Sequence, residues 1–378
     1  MGMFPTYNRF NVAIQSAEGS IVTDVNGKTY LDFGSGIGVT NLGHNNPEVK
    51  KAVTEQLEAY WHVSNLYENP IQHDVANEIT SNSLGDYVFF CNSGAEANEA
   101  AIKLARKATG KQKIVTFDKS FHGRTFATMA ATGQEKVRIG FGPMLERFSY
   151  ATFNDIDSVK AAIDEDTAAV MFEVIQGEGG VIPATQSFVD EVVTLCKQHN
   201  ILIIIDEIQT GIGRTGEKFG FEHYGIEPDI FTLAKGLGNG LPVGAMVGKE
   251  SLGEFFGPGS HGSTFGGNPI AMAAAKAVTT QVFNDDFLQE VEEKANYIAN
   301  LLEKEIAPMD KVIDIRQQGL MIGIEYAESV GSLVTGLIDK GLLALNAGDK
   351  VLRLLPPLTV SKEEIDQAIQ MIKEIMQN

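Results

Sequence analysis

The amino-acid sequence predicts an α/β protein with a mostly parallel central sheet, flanking helices and a smaller α+β domain built from both ends of the chain. Short runs of β-branched and aromatic residues alternate with helical stretches through the middle of the chain, as in parallel strands joined by crossover helices. After about residue 280 the pattern changes to charged, periodic helices around short strands. A strand-like stretch at residues 20–33 is predicted to join this second part of the fold.

Six runs are predicted as buried strands, because each is short, apolar and bounded by polar or glycine residues. They are residues 87–92, 113–118, 168–175, 201–206, 229–234 and 244–248. Amphipathic helices are predicted where apolar residues recur with a period of about 3.6. They span residues 95–108, 187–199, 286–306 and 362–376, and the last two flank strand-like stretches at 319–326 and 351–355. We accordingly expect a small domain of residues 1–48 and 281–378, and a large, ligand-binding domain of residues 49–280.

The composition limits the classes of function. Lysine and arginine number 30 against 49 aspartates and glutamates, and the net charge of −19 disfavours nucleic acids and anionic membrane surfaces as partners. The two cysteines give neither a disulfide framework nor a metal-ligand pattern, so we expect a reducing compartment and no metal site. With no secretory signal and no apolar run of the ~18 residues that span a bilayer, we expect a cytoplasmic protein. Met1, Gly2 and Thr6 match a loose myristoylation pattern, which Pro5 and the lack of a basic patch nearby disfavour.

Polar residues follow several of the predicted strands, at the sheet edge where ligands of open parallel sheets bind. After the first strand, Ser93 and Gly94 open a helix whose unpaired N–H groups and dipole favour a phosphate. A serine is also a usual helix cap, so both interpretations of Ser93 stay open. After the second strand, Phe121, His122 and Arg124 bring an aromatic ring, an imidazole and a guanidinium into one turn.

Asp206 and Lys235 each end a predicted apolar strand. A partly buried carboxylate needs a partner, either a structural cation or a protonated nitrogen of a ligand. A desolvated lysine has a lowered pKa, and its neutral amine is a nucleophile toward aldehydes. A phosphate cradle, a ring for stacking, a buried carboxylate and a buried lysine together fit one cofactor, pyridoxal 5'-phosphate.

A glycine-rich motif at residues 211–216, GIGRTG, has the spacing of a dinucleotide-binding fingerprint. Four residues separate it from the preceding strand, and the EKFGFEHYG that follows is too rich in glycine and aromatic residues to open as a helix. Nicotinamide or flavin binding is therefore disfavoured.

Six motifs follow one another along the chain: NSGAEANEAAIKLAR, SFHGRT, IQGEGG, DEIQTGIGRTG, LAKGLGNGLP and HGSTFGGNP. In kind and order they resemble those of the class III, ornithine-type aminotransferases, which have the type I fold of pyridoxal-phosphate enzymes, and the resemblance covers essentially the full length. It implies that Lys235 forms a Schiff base with the cofactor and then carries a proton between substrate and cofactor, in a ping-pong reaction. It also implies that Asp206 pairs with the pyridine nitrogen, that Gln209 lies near the ring hydroxyl, and that Phe121 stacks on the ring, with His122 in the same site.

For the phosphate, the resemblance implies binding by Ser93, Gly94 and Ala95. Ser263 and Thr264 are expected to come from the neighbouring subunit, so that a complete site requires a homodimer with shared active sites. Ala95 stands where threonine is common in the family, which removes one hydroxyl from the phosphate site. The serine and the backbone are expected to suffice.

The resemblance also implies how carboxylates are bound. Arg124 and Arg353 are expected to bind substrate carboxylates, since a planar guanidinium matches a carboxylate bidentately. A surface or structural ion pair is the alternative for each. Glu178 matches the family's switch residue: it would pair with Arg353 while a donor presents its terminal amine, and release it so that the α-carboxylate of glutamate can bind. This arrangement suits ω-amino donors with 2-oxoglutarate as acceptor.

Ile37 aligns with a tyrosine by which ornithine-using members recognise a free α-amino group, so an apolar residue there favours a donor whose α-nitrogen is acylated or absent. With Asn65 and Tyr67 near the pocket mouth, we expect N-acetylornithine as the donor, giving N-acetylglutamate semialdehyde and glutamate in arginine biosynthesis. The alternatives are 4-aminobutyrate, succinylornithine or ornithine as donor, an aminomutase, or a non-catalytic binding protein on the same fold. Asn239 replaces a glycine common in the family, with little expected effect because asparagine tolerates positive φ.

Overall fold

The computed structural model describes residues 2–377, so Met1 of the myristoylation pattern lies outside the described residues. The strands are β1 (Ile14–Glu18), β2 (Ile21–Asp24), β3 (Thr29–Asp32), β4 (Tyr87–Cys91), β5 (Lys113–Phe117), β6 (Phe148–Ala151), β7 (Thr167–Phe172), β8 (Ile175–Gln176), β9 (Ile182–Pro183), β10 (Leu202–Asp206), β11 (Ile230–Leu233), β12 (Gly244–Gly248), β13 (Val312–Gln318), β14 (Met321–Tyr326), β15 (Leu342–Leu343), β16 (Leu345–Ala347) and β17 (Val351–Leu354).

The helices are α1 (Ser35–Gly38), α2 (Pro47–Ala59), α3 (Pro70–Ser81), α4 (Gly94–Thr109), α5 (Phe126–Ala131), α6 (Ile156–Ala162), α7 (Gln186–His199), α8 (Pro269–Val282), α9 (Asp285–Leu301), α10 (Gly331–Lys340) and α11 (Lys362–Met376). Short 3-10 turns span Glu135–Val137, Gly220–Tyr224, Lys235–Gly238 and Glu250–Phe256, and a π turn, Leu302–Ile306, extends α9.

The central sheet has seven strands in the order β4, β12, β11, β10, β7, β5, β6. Its pairs are parallel from β11 through to β6, whereas β12 runs antiparallel to both neighbours. The prediction of a mostly parallel sheet is confirmed, and all six predicted strands belong to it; the edge strand β6 was missing from that set. Because β12 reverses, β4 runs the same way as β5, β10 and β11, and the carboxyl ends of these strands share one edge.

The helix α4 shows why the chain folds as predicted after β4. Ser93 caps it by accepting a hydrogen bond from the Glu96 N–H at 3.2 Å, and Gly110 ends it in the left-handed conformation with a φ of 69°. Small buried residues on one face, including Ala97 and Ala101, let the helix lie close to the sheet. The amino end of α4 is thereby fixed at the edge where the parallel strands end.

The two ends of the chain meet in a second layer of structure. The strand β3 pairs in parallel with β15, while β13, β14, β17 and β16 form a separate four-stranded sheet. Tyr30 and Phe33 share an apolar cluster with residues of α9, β14, β17 and α11. The helices predicted near residues 286–306 and 362–376 are confirmed. The domain boundaries at residues 48 and 280 stay a prediction.

None of the helices in the described part of the chain combines the length and apolar character needed to cross a bilayer.

Candidate active site

A cavity of about 420 Å³ lies at the carboxyl ends of β4, β5, β10 and β11. Because successive turns at this edge converge, residues far apart in the sequence line one space. The predicted site residues that line it are Ser93, Gly94, Ala95, Phe121, His122, Arg124, Glu178, Asp206, Gln209 and Lys235.

Asp206 lies at the floor of this cavity with 3% of its surface exposed. Its Oδ2 accepts hydrogen bonds from Asn98 Nδ2 at 2.8 Å and lies 2.7 Å from His122 Nδ1, while its Oδ1 accepts from the Ile208 N–H at 3.1 Å. Burial lowers the pKa of His122, but the hydrogen bond with Asp206 and the charges of Asp206 and Glu173 outweigh it, so that the pKa is raised above the ordinary value.

Lys235 begins the turn after β11 in the left-handed conformation, with a φ of 42°. Among residues 2–377 no group accepts a hydrogen bond from its Nζ, which lines the cavity. Burial lowers the pKa of this amine to about 8, with the charge of Glu178 opposing the shift and that of Arg353 adding to it. The next residue must be glycine, because a Cβ on Gly236 would lie 2.4 Å from Asn41 Nδ2.

The amino end of α4 faces the same cavity. The first N–H groups of a helix have no partner within it, so those of Gly94 and Ala95 are available to an anion, and the helix dipole favours one there. Ser93 caps the helix as an acceptor, which leaves its hydroxyl proton available as a donor. Both interpretations of Ser93 are therefore compatible. A Cβ on Gly94 would lie 2.6 Å from Ile208 Cδ1, so glycine is required for this close approach.

Phe121 and Arg124 form one wall of the cavity. The Arg124 guanidinium lies 5.7 Å from the centre of the Phe121 ring, and no carboxylate of the described chain forms an ion pair with it. An exposed, unpaired guanidinium beside an aromatic ring is suited to binding a substrate anion.

Arg353 and Glu178 meet as predicted. Arg353 Nη1 donates to Glu178 Oε1 at 2.5 Å and to Gln209 Oε1 at 3.1 Å, and Arg353 is 2% exposed. Burial raises the pKa of Glu178, but the charge and hydrogen bond of Arg353 outweigh it and hold the pKa below its ordinary value. Glu178 is thus an anion at neutral pH. Because Arg353 is almost fully buried, water does not take the place of Glu178 as its hydrogen-bond partner.

Besides Arg353 and Ile37, four predicted site residues do not line the main cavity. Ser263, Thr264 and Asn65 line a second cavity of about 840 Å³, in which Asn65 Nδ2 donates to the carbonyl of Ser263 at 3.0 Å. Tyr67 is 73% exposed on the surface.

Ile37 lines a third cavity, of about 540 Å³, whereas Val39 lines the main one. The amino-acid sequence alone does not show which of two nearby apolar residues faces a site. Val39 is therefore the apolar residue of this segment that lines the main cavity within one chain.

Sequence reasoning missed Glu173, which lines the cavity, and Asn98, which is buried behind it and bonds Asp206. Glu173 accepts hydrogen bonds from the N–H groups of Phe121 at 3.1 Å and Gly177 at 3.3 Å, and burial chiefly raises its pKa to about 7 although His122 opposes this. A lone acid in an apolar strand is the signal that singled out Asp206, and it applies to Glu173 as well. Asn98, which bonds Asp206, is one residue of an amphipathic helix and carries no such signal.

Two secondary expectations can be compared with the structure. The segment GIGRTG opens no helix: only a 3-10 turn, Gly220–Tyr224, follows it, as expected from its context. Asn239 has the positive φ that was anticipated, 44°, but its side chain also matters. Its Oδ1 accepts from the Leu42 N–H at 2.8 Å and its Nδ2 donates to the Gly43 carbonyl at 3.0 Å, which ties the lysine turn to the amino-terminal part of the chain.

The residues present fit pyridoxal 5'-phosphate. The unpaired Lys235 amine suits an aldehyde, the open N–H groups at the start of α4 suit a phosphate, and Asp206 suits a protonated ring nitrogen. The cavity of about 420 Å³ is of the size that encloses a small organic cofactor.

Comparisons with known proteins agree with this geometry. The family model described as "Aminotransferase class-III" matches residues 3–376. Relatives named acetylornithine aminotransferase include those of Listeria monocytogenes, 58% identical over 100% of this chain and 97% of the relative, and Bacillus subtilis, 56% identical over 98% and 97%.

Similar solved structures include an ornithine aminotransferase of Toxoplasma gondii (TM-score 0.95, 30% identity, 100% of this chain and 92% of that one) and an N-acetylornithine aminotransferase of Stenotrophomonas maltophilia (TM-score 0.86, 34% identity, 98% and 97%). A second Toxoplasma gondii structure is described with partial occupancy of PLP at its active site. Class-III aminotransferases use pyridoxal 5'-phosphate, the cofactor that the cavity fits. The chain belongs to the class-III aminotransferase family.

Proposed function

We propose that this aminotransferase moves the terminal amine of N-acetylornithine to 2-oxoglutarate, giving N-acetylglutamate semialdehyde and glutamate. The observation that carries the proposal is that Glu178, which lines the same cavity as the unpaired amine of Lys235, forms an ion pair with the buried Arg353. The donor is inferred from full-length relatives of 54–58% identity that are named acetylornithine aminotransferases. The ornithine aminotransferase of Toxoplasma gondii has a similar fold but only 30% identity.

Each residue of the cavity has a distinct role in this proposal. Pyridoxal 5'-phosphate, when bound, supplies an aldehyde that reacts with amines and a ring that withdraws electrons from the neighbouring carbon. Lys235 Nζ would hold the cofactor through that aldehyde and, when free, would take up and return the substrate proton. Asp206, beside His122, would accept a hydrogen bond from the protonated ring nitrogen. The open N–H groups at the start of α4 bind the phosphate.

Glu178 would act as the gate between the two substrates. It lines the main cavity and also a neighbouring one of about 560 Å³. That neighbouring cavity is lined by Lys119, Lys136 and Lys350 as well as by Glu135, Glu325 and Asp349, so a carboxylate that leaves Arg353 would have room there among side chains of both charges. With Glu178 in place Arg353 is neutralised; with Glu178 withdrawn it can bind the α-carboxylate of glutamate or 2-oxoglutarate.

Donor recognition is proposed for the opposite wall. Arg124 would bind the donor's carboxylate, and the apolar Val39 offers nothing to a charged α-ammonium, which favours an acylated nitrogen. Ile37, Asn65 and Tyr67 would contribute only at the rim of the site.

We further propose a cytoplasmic homodimer in which Ser263 and Thr264 complete the phosphate site of the neighbouring subunit. These residues line a separate cavity in their own chain, beside the exposed side chains of Leu66 and Phe265. Apolar side chains in such positions are typical of surfaces that a partner covers. Cys91 and Cys196 are both unpaired and buried, which suits a reducing compartment.

The donor is tested by steady-state kinetics with 2-oxoglutarate. We expect kcat/KM for N-acetylornithine to exceed that for ornithine by at least about tenfold, because rejecting a charged α-ammonium at an apolar wall is worth more than ~1.4 kcal/mol. 4-Aminobutyrate, which has no α-nitrogen, is measured beside them as the alternative donor. A tenfold preference for ornithine would overturn the donor assignment and leave the aminotransferase reaction intact.

The amine of Lys235 is tested by competitive acetylation of the cofactor-free protein with acetic anhydride. Its pKa is lowered to about 8, so the neutral, reactive amine is present above that pH, and the labelling rate should be half-maximal near pH 8. Nα-acetyl-lysine amide in the same solution serves as reference, with an ordinary value of ~10.4. A labelling profile of Lys235 that coincides with the reference would contradict its burial.

The gate is tested with Glu178→Gln. Weakening the pair frees Arg353 for a glutamate carboxylate. The ratio of kcat/KM for glutamate to that for N-acetylornithine should therefore rise by about tenfold, which corresponds to the free energy of one hydrogen bond to a charged group. Glu325→Gln is the matched control, because Glu325 pairs with Arg316 at 2.6 Å and faces only the neighbouring cavity. An unchanged ratio in Glu178→Gln would rule out the gating role.

The shared site is tested with hybrid dimers of Lys235→Ala and Thr264→Asp subunits, isolated by two different affinity tags. If Thr264 serves the other subunit, one site carries both changes and the other carries none, so the hybrid should regain about half of wild-type activity although each parent is inactive. An inactive hybrid would show that Thr264 serves its own chain.

A further inference from the structure

Arg214, in the GIGRTG segment, is a fully buried cation that the cofactor site does not use. Its Nη1 donates to the carbonyls of Leu320 at 3.1 Å and Pro356 at 2.5 Å, and its Nη2 donates to Asn41 Oδ1 at 2.8 Å. No acid within the described chain forms an ion pair with it, and Nε has no partner. Burial lowers the pKa of Arg214 to about 9, so it is still charged at neutral pH.

A buried charge with only neutral acceptors is costly, and chains retain one where its geometry has a use. Two of its acceptors fix the strand that carries Arg353. Leu320 directly precedes β14, which pairs with β17 so that Gly323 lies opposite Arg353, and Pro356 follows the end of β17. One guanidinium nitrogen thus holds both strands at their ends.

The third acceptor lies beside the turn that carries Lys235. Asn41 also donates to the Ile212 carbonyl at 2.7 Å, and its side chain lies against Gly236, the residue after Lys235. The carbonyl of Asn41 accepts from the Leu358 N–H at 2.7 Å, which closes the connection to the segment after β17. Arg214 therefore joins the lysine turn to the strand of Arg353.

We propose that Arg214 is a positioning residue that sets the placement of Arg353 relative to Lys235, and that it acts selectively on the half-reaction of glutamate and 2-oxoglutarate. The inference rests on the proposed function, in which Arg353 binds the carboxylate of these substrates. While Glu178 is paired with Arg353 at 2.5 Å, that contact holds the guanidinium in place. Once Glu178 withdraws, the guanidinium keeps its hydrogen bond to Gln209, and its strand keeps the pairing with β14 and β16 and the end contacts to Arg214.

The test measures the two half-reactions separately, by single-turnover absorbance of the cofactor-loaded enzyme. In Arg214→Met, we expect the apparent affinity for 2-oxoglutarate to fall by about 10- to 100-fold, as for the loss of one or two hydrogen bonds from a charged group, and the donor half-reaction to change by less than about threefold. Arg214→Lys keeps the charge, but its single amine cannot replace both guanidinium nitrogens. Its affinity for 2-oxoglutarate should therefore lie between those of Arg214→Met and wild type.

Leu302→Ala is the control for lost stability. It opens a cavity in the apolar cluster between the sheet of β13, β14, β17 and β16 and its helices, and it should affect both half-reactions equally. Equal losses in the two half-reactions of the Arg214 variants would overturn the proposal. If Arg214→Met does not fold, the ratio in Arg214→Lys decides.

Wild-type enzyme separates a failure of this proposal from a failure of the proposed function. If wild type rejects N-acetylornithine but accepts another donor, the donor assignment fails, and the ratio is measured with the donor that reacts. If wild type does not use 2-oxoglutarate at all, the proposed function fails before any variant is compared. Normal wild-type kinetics with no selective loss in either Arg214 variant refute the positioning role alone.

Discussion

The amine of Lys235 has to be both buried and unpaired, and the rest of the cavity is arranged around that requirement. Burial lowers the pKa of the amine, whereas a carboxylate close by raises it and would hold the proton in place. Glu178 lines the same cavity, but Arg353 binds it at 2.5 Å and adds a positive charge of its own. The pair therefore keeps an acid in the active site while limiting its effect on the nucleophile.

A second group of titratable residues, Asp206, Glu173 and His122, lies together at the floor of the cavity. Asp206 and Glu173 are both buried acids, and the charge of each raises the pKa of the buried His122. The pKa of Glu173 is raised to about 7, chiefly by burial, and that of His122 is raised by its hydrogen bond with Asp206 although burial opposes it. The carboxylate of Asp206 is held at both oxygens, by Asn98 and His122 at Oδ2 and by the Ile208 N–H at Oδ1.

Much of this site could be predicted from the sequence because a parallel sheet brings strand ends together whatever their separation along the chain. Asp206 and Lys235 each follow an apolar run, and that position alone brings them to the same cavity. The antiparallel direction of β12 was not predictable, since a buried run has the same pattern in either direction. The positions of Asn98 and Val39 were not predictable either, because they depend on how a helix and a strained turn pack in three dimensions.

The turn between β3 and α2 shows how a wall of the cavity is held in place. Ser35 and Ile37 have φ values of 46° and 70°, which for residues other than glycine costs on the order of 1–3 kcal/mol each. Asp32 compensates by accepting from the N–H groups of Gly34 at 3.0 Å and Ser35 at 2.8 Å. This conformation directs Val39 into the main cavity and Ile37 into another.

Under the proposed function, this backbone fixes the wall that Val39 presents to the donor. The ornithine aminotransferase of Toxoplasma gondii matches this fold with a TM-score of 0.95 at 30% identity, so the fold as a whole does not separate the two proteins. A difference in donor would therefore depend on the side chains that line such walls, of which Val39 is one in this chain.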